Sequence, residues 1–362
     1  RLDAAQLANL GNGSGRLLIN AGSTTAATTQ TFASTTLGTG ASDIVITSGG
    51  TNAALLTLGA ITRGRGATLF VGNPDNTLSA TNGVRTTSGT ASTVLTDANG
   101  TAYAVLATNS STTVTDWAMK NAGNVWLTAP IYTPSAAATA NYGQTLTAGS
   151  TTNGSATLTV ASVANLVVGA IVSGTGIPVG ASIQSTNTTA NTITISAPAT
   201  ATASGLTFTV AQNVNFTQTN TAAWTTQTIN SLRMNASTAA NLLIGAGQTI
   251  TISTGGILFG SGAAAASLST TVGQGTIVPG AGRELVIFAN NNPLTINAVL
   301  GQSAAGATDV TFRGLVSVGL AKNDVLLNAN STYSGDTYIS GVRVRTDVNT
   351  VTAPFGTGLN GN

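Results

Sequence analysis

Short apolar segments separated by glycine-containing corners recur along most of this chain. Within segments such as DIVIT and ATLFV, apolar residues occupy alternate positions, which places Ile44 with Ile46, and Leu69 with Val71, on one face of a strand. The corners recur about every 10 residues, a spacing typical of short strands joined by turns. The pattern predicts an all-β fold, and both a sandwich and a solenoid satisfy the spacing.

Self-similarity over longer distances favours the solenoid. The segments around Ile250 (QTITISTGGILFGSG), Ile296 (ELVIFANNNPLTINAVLG) and Tyr333 (DVLLNANSTYSGDTYISG) are variations of one pattern, offset by multiples of roughly 20 to 25 residues. The sequence therefore predicts a right-handed parallel β-helix, that is, a β-solenoid. As one continuous stack it would have on the order of 12 to 15 coils and a length of about 60 to 70 Å.

The composition agrees with stacked coils. Charged residues make up 6% of the chain, against roughly 25% in an ordinary soluble protein, whereas the hydrophobic fraction is 42%. Equivalent side chains of adjacent coils lie about 4.8 Å apart, so like charges would repel and Thr, Ser and Asn are favoured. Disorder requires low hydrophobicity together with high charge, and neither is present. The chain is expected to fold.

One C-terminal stretch carries a family resemblance. Residues 328–358 include NSTYSGDTYISGVRVRT, which is similar to the pattern N-x-Y-x-G-x-T-x-I-x-x-G-x-L. The residues that carry the similarity are Tyr333, Gly335, Thr337, Ile339, Gly341 and Val342. The stretch resembles the autotransporter-associated β-strand repeat, found in passenger regions of bacterial surface and secreted proteins. The resemblance implies a parallel β-helix and a location outside the cell or at the bacterial cell surface.

An inserted module interrupts the solenoid pattern. Residues 143–211 contain VVGAIVSGTGIPVG, which resembles a small all-β module of bacterial surface and phage tail proteins. Removal of this stretch joins the flanking segments sensibly, and a solenoid tolerates insertion at a surface corner. We therefore expect an N-terminal part of the β-helix at 1–142, the module at 143–211 and a C-terminal part at 212–362.

The most aromatic part of the chain lies between residues 97 and 132. Trp117 and Trp126 could form a hydrophobic plug in the side of the β-helix or an exposed platform for sugar rings. The alternating Val114 and Leu127 favour the plug. These two tryptophans are nevertheless the candidate binding residues.

Catalytic chemistry has few candidates in this sequence. There is no His and no Cys, and Glu284, the only glutamate, follows Arg283, which predicts an ion pair with a neighbouring coil. The lysines are Lys120 and Lys322. Four aspartates could approach one another across coils, but they show no D-x-D spacing: Asp309, Asp324, Asp336 and Asp347. We expect no enzyme activity, no cofactor and no metal site; a polysaccharide lyase or hydrolase ranks third among the possible functions.

The charge balance predicts neither a nucleic-acid surface nor a membrane span. Twelve basic and ten acidic residues give a net charge of +2. Arg63 and Arg65, like Arg343 and Arg345, lie two apart and are expected to share a solvated outer face, since phosphate binding needs more such contacts. No apolar run reaches the roughly 20 residues of a membrane helix. The absence of cysteine fits export through an oxidising compartment, and the start at Arg1 indicates a mature fragment or a piece of something longer.

These features predict a non-enzymatic extracellular structural protein, such as a surface stalk or a fibre subunit. The ends of a β-helix are unpaired edges, and the edge near residues 356–362 is the expected contact for head-to-tail assembly into filaments. The alternative is a carbohydrate- or surface-binding adhesin passenger, in which Trp117, Trp126 or the inserted module holds a glycan.

Overall fold

The computed structural model describes residues 15–21, 26–48, 52–75, 77–107, 114–121, 123, 126–134, 136, 138–139, 141–260, 264–290, 292–314, 324–347 and 351–356. In these residues the protein is all-β, with 34 strands and no helix. The strands form a parallel β-solenoid of about 11 turns. The predicted fold class is confirmed.

The first part of the chain forms an N-terminal stack. Its strands are β1 (Gly15–Ala21), β2 (Thr28–Thr31), β3 (Ser34–Leu37), β4 (Gly40–Ser48), β5 (Ala54–Thr57), β6 (Ala60–Arg63), β7 (Ala67–Gly72), β8 (Gly83–Arg85), β9 (Ala104–Ala107), β10 (Asp116–Trp117), β11 (Met119–Lys120) and β12 (Leu127–Thr128). β1, β4, β7 and β9 pair in parallel, and β10 adds antiparallel to β9. The sheets β2-β5-β8 and β3-β6 form further sides of the coils.

The alternating pattern sets the inward face of this stack. Gly15 pairs with Ser42 and Gly40 pairs with Ala67, so one coil takes 27 residues. The alternating apolar residues of these strands are buried in a single core, as predicted: Ile44, Ile46, Leu56, Leu58, Leu69 and Val71. Apolar ladders inside the coils therefore hold the stack together.

A C-terminal stack and an inserted sheet follow. β13 (Thr133–Pro134) begins the second stack. The inserted sheet then contains β14 (Gln144–Thr151), β15 (Thr157–Thr159), β16 (Ile171–Ser173), β17 (Ile183–Asn187), β18 (Thr192–Ile195) and β19 (Ala203–Ala211). Its strands pair antiparallel in the order β16-β19-β14-β15-β18-β17 around a core of their own, which includes Leu158, Ile193 and Phe208.

The C-terminal stack resumes directly after β19. Its strands are β20 (Asn213–Phe216), β21 (Gln227–Ile229), β22 (Ser231–Met234), β23 (Ala240–Leu242), β24 (Thr249–Ile252), β25 (Gly256–Phe259), β26 (Ala266–Leu268), β27 (Thr276–Pro279), β28 (Leu285–Ala289), β29 (Leu294–Ile296), β30 (Val299–Leu300), β31 (Val310–Arg313), β32 (Asp324–Leu327), β33 (Thr337–Ser340) and β34 (Arg343–Arg345). They form three parallel sheets of seven, four and five strands, which enclose one apolar core.

The repeat-like stretch forms the last described coil of this stack. Tyr333 is fully buried, and its hydroxyl lies 2.8 Å from Thr337 Oγ1. A Cβ at Gly335 would lie 2.3 Å from Asp309 Oδ1, and Gly341, at φ +66°, would place one 2.4 Å from the Gly314 carbonyl oxygen. Because L side chains do not fit at such distances, glycine at these two positions permits the coil to stack on its neighbour.

The two stacks lie side by side and run in opposite directions. Arg63 contacts Glu284, 221 positions later, and Asp43 contacts Arg313, 270 positions later. Trp117, near the end of the N-terminal stack, bonds to Leu232 near the start of the C-terminal stack. The chain therefore folds back on itself, and the expectation of one continuous stack is wrong. Seven strands at the normal spacing give the C-terminal stack a length of about 30 Å.

Candidate functional site

The stack interface is an apolar layer between the two solenoids. It consists of outward-facing side chains of both stacks that are buried together: Val45, Phe70, Val94, Ala102, Val105, Ala107, Val114, Trp117, Leu258, Val286 and Phe288. Within β7 and β28 every residue is buried, because one face of the strand meets its own core and the other face meets the second stack. These strands are thus covered on both sides, like the strands of buried parallel sheets.

Trp117 lies in the stack interface, near the end of the N-terminal stack. Its ring meets Phe288 edge to face, with centroids 5.5 Å apart and planes at 89°. The indole Nε1 donates to the Leu232 carbonyl oxygen at 3.3 Å. A Cβ on Gly256 would lie 2.8 Å from Trp117 Cζ2, so glycine at this position makes room for the indole. The contact joins β10 to β22, β25 and β28.

Four ion pairs cross the stack interface. They are Arg63 with Glu284 (2.5 Å), Arg313 with Asp43 (2.5 Å), Arg233 with Asp116 (3.2 Å) and Arg65 with Asp309. Three of the four arginines are largely buried, with side chains 1%, 1% and 14% exposed for Arg63, Arg313 and Arg233. In a chain with few charges, this concentration of opposite charges fixes how the two stacks face each other.

Glu284 is the best-connected carboxylate of this set. One oxygen accepts from Arg63 and lies 3.4 Å from the Gly66 N–H, while the other accepts from the Thr311 hydroxyl. Arg63 also pairs with Asp97 at 2.9 Å. Glu284 does form an ion pair, but its partner Arg63 belongs to the opposite stack and not to the next coil of its own stack. The prediction that the side chain of Arg63 is solvated is wrong, because it is buried. Arg65 is 71% exposed.

Burial changes the acid strength of the interface groups. Burial raises the pKa of Asp43, against the opposing charge of Arg313, and burial lowers the pKa of Arg313. The pKa of Asp116 is likewise raised by burial, opposed by Arg233. Arg233 also lies 5.2 Å from the centre of the Tyr132 ring. Desolvation is the larger influence on both carboxylates, so these pairs contribute more to orientation than to stability.

A cleft of about 920 Å³ opens where the two stacks and the inserted sheet meet. We call it the junction cleft. Ile61 and most residues between positions 88 and 100 line it from the N-terminal stack, and most residues between positions 171 and 180 line it from the inserted sheet. The C-terminal stack contributes Thr228, Asn230, Ser253, Thr254 and Arg283. The volume of the junction cleft lies in the range of about 300–1,000 Å³ typical of ligand sites.

Hydroxyl groups, the amides of Asn99 and Asn230, the carboxylate of Asp97 and the guanidinium of Arg283 provide the polar chemistry of the junction cleft. Ser88, Thr90, Thr93, Ser173 and Thr209 are among the lining residues. An apolar turn with Ile177, Pro178 and Val179 faces them, and Val179 is 99% exposed. The sequence reasoning missed this site because its three walls are far apart in the chain.

The candidate binding residues occupy different environments. Trp117 is fully buried in the stack interface, whereas Trp126 is half-buried beside Gly83 of β8. The structure does not bring these two side chains into the junction cleft. Trp117 therefore has the burial that the hydrophobic plug requires, since no face of its ring is open to solvent. Trp126 keeps part of its surface accessible, as a platform for sugar rings would require.

The aspartates singled out in the sequence lie in two places. Asp309 accepts from the backbone N–H of Asp336 at 2.9 Å, while Asp324 pairs with Arg343 and Arg345 on the last described coils. Within the described residues, no group of three or more His, Cys, Asp or Glu side chains could hold a metal ion. Lys322 lies outside the described residues, as does the predicted edge beyond Gly356.

The comparisons with known proteins give no assignment. No model of a protein family, no curated protein and no solved structure matches this chain. In the described part of the chain, no helix has the length and apolar character needed to cross a membrane.

Proposed function

We propose that the protein is a non-enzymatic extracellular structural protein, a subunit of a bacterial surface assembly. The observation that carries the proposal is the stack interface, in which four ion pairs and an aromatic contact hold two solenoids in one fixed relation. Two joined solenoids resist bending better than one. Because the C-terminal stack is only about 30 Å long and the N-terminal stack folds back beside it, the protein suits a building block better than a stalk.

Self-association through one end of the molecule is part of this proposal. The fold-back places β1 and β33 at the same end of the molecule. β4 lies next to β1 in its sheet and contacts β33 of the other stack. Asp43 of β4 also forms an ion pair with Arg313 of β31, the strand next to β33. Leu18 of β1 pairs with Val45 of β4, so the two side chains lie on the same outward face. The C-terminal stack covers Val45, whereas Leu18 is 55% exposed. Ile339 of β33 is 49% exposed at the same end. We expect a second copy of the chain to bind to this end of the molecule, over Leu18 and Ile339.

This geometry favours a closed pair of molecules over a filament. At the opposite end β10 pairs antiparallel with β9 and ends the parallel ladder of that sheet. A contact that uses the same surface on both copies closes at two, whereas head-to-tail contacts through opposite ends continue without limit.

Light scattering after size-exclusion chromatography tests the proposal. We expect a dimer of the 35.6 kDa chain at high concentration, and a monomer for Leu18→Lys. Val272→Lys is the matched control, because Val272 is 47% exposed on a corner between β26 and β27. A wild-type monomer at every concentration, or longer assemblies that Leu18→Lys leaves unchanged, would contradict this end contact. Antibody labelling of intact cells tests the extracellular location.

A further inference from the structure

The junction cleft holds the charged side chain of Arg283, which forms no ion pair with a carboxylate of the described residues. Nε of Arg283 donates to the Asn99 carbonyl oxygen at 3.2 Å, and Nη1 donates to the Ser253 carbonyl oxygen. The ion pairs between described residues do not include Arg283. The nearby carboxylate of Asp97 is already engaged by Arg63 and by the backbone N–H groups of Asn99 and Thr101.

Arg283 is held in a fixed position. A Cβ on Gly100, at φ +86°, would lie 2.7 Å from Arg283 Nε, and one on Gly280 would lie 2.9 Å from Nη1. Glycine at both positions leaves the space that the guanidinium occupies, and two carbonyl oxygens from different stacks orient it. A guanidinium fixed in this way loses little conformational freedom when it binds a planar anion.

The guanidinium is partly removed from water, and burial lowers the pKa of Arg283, opposed by Asp97. An anionic group in the cleft would offset this cost of desolvation. The other lining groups offer hydroxyls that both donate and accept hydrogen bonds, together with the exposed apolar turn at Ile177, Pro178 and Val179. Sugars present this combination of hydroxyl edges and apolar ring faces.

We propose that the junction cleft binds an acidic oligosaccharide, whose carboxylate pairs with Arg283 and whose hydroxyls contact the Ser and Thr side chains of the walls. The apolar turn of the inserted sheet packs against a ring face. This binding function goes beyond the structural role proposed above and rests on different residues.

Calorimetric titration with tetragalacturonate and with its methyl ester tests the proposal, because the two probes share rings and hydroxyls and differ in charge. The acid is expected to bind about tenfold or more tightly than the ester, the effect of one charge-assisted hydrogen-bonded pair. Arg283→Gln is expected to lower the affinity for the acid to that for the ester. Arg85→Gln, an exposed arginine outside the cleft, is the matched control and is expected to leave both affinities unchanged.

A second variant keeps the test decisive if Arg283→Gln disturbs the fold. Ser173 is exposed and lines the cleft, so Ser173→Trp fills it without contact to the stack interface. It is expected to abolish binding of both probes, whereas Thr188→Trp on an exposed turn of the inserted sheet is not. No binding of the acid by the wild type, equal binding of acid and ester, or binding that survives Ser173→Trp would overturn the proposal. None of these results depends on dimer formation.

Discussion

Two ion-pair clusters of this protein have similar chemistry but differ in how far their arginines are exposed. In the stack interface, the side chains of Arg63 and Glu284 are 1% and 6% exposed. On the last described coils, the carboxylate of Asp324 is also buried, at 4% exposure, but its partners Arg343 and Arg345 are 49% and 40% exposed. The buried pair of Arg63 and Glu284 joins residues 221 positions apart in two different stacks, whereas the pairs of Asp324 join neighbouring coils of one stack. Burial, more than the presence of an ion pair, therefore decides what each cluster does for the fold.

Loss of one buried charge should have the largest effect. Arg63→Met leaves Glu284 and Asp97 without their cation, and we expect the free energy of unfolding to fall by about 3–5 kcal/mol. Urea denaturation measures this loss. The double variant Arg63→Met/Glu284→Leu removes both charges of the crossing pair and should recover part of the stability. A double variant less stable than Arg63→Met would show that these charges are not coupled.

Overpacking beside Trp117 should come next. Gly256→Ala places a methyl group within 2.8 Å of the indole, and we expect a loss of about 1–3 kcal/mol in thermal or urea unfolding. Gly64→Ala is the matched control, because its Cβ would find only ordinary contacts at 3.7 Å or more. Equal stability of the two variants would mean that the stack interface adjusts freely around Trp117.

The pH dependence of stability should separate the two clusters by sign. Burial raises the pKa of Asp43 above 3.8, so its contribution is present below that pH and is lost as pH rises through the folded-state pKa. Hydrogen bonds from Arg343 lower the pKa of Asp324, so its contribution is present above 3.8 and is lost as pH falls.

Urea unfolding across the acid range measures these two slopes. Asp43→Asn should make stability rise more steeply with pH, and Asp324→Asn should make it rise less steeply. The effect of Asp324→Asn should shrink in high salt, since both arginines that pair with Asp324 are exposed. Changes of the same sign in both variants would contradict the comparison.

The smallest effect is expected on the exposed coil. Arg345→Met removes a half-exposed guanidinium from Asp347, which is exposed, and from Asp324, which keeps its ion pair with Arg343, so we expect no measurable change in the urea midpoint. A loss comparable to that of Arg63→Met would show that burial does not distinguish the clusters.

The local pattern of the sequence was sufficient for the coils but not for their arrangement. Alternation placed Ile44, Ile46, Leu69 and Val71 correctly in one core, because a strand has a period of two wherever it occurs. The fold-back depends on contacts between distant residues, which no local period encodes. A signal was nevertheless present in ATLFV and ELVIF, whose consecutive apolar residues are typical of strands buried on both faces.

The same limit applies to the candidate site. Trp117 and Trp126 stand out in the sequence because aromatic residues are rare in this chain, but the rarity of a residue does not say which way it faces. Half of the residues that line the junction cleft are Ser, Thr or Gly, which are common throughout this chain. Only the packing of three units distinguishes Arg283 from the other arginines.

Because the C-terminal stack folds back over the N-terminal stack, the apolar outer face of the N-terminal stack stays uncovered until late in synthesis. Asp43 must wait for Arg313, 270 residues later in the chain. At about 5–20 residues per second, synthesis of that length takes tens of seconds, during which Val45 and Phe70 of the N-terminal stack have no C-terminal stack to cover them. A partly made chain thus presents an apolar β-surface, so aggregation during production should begin in the N-terminal half.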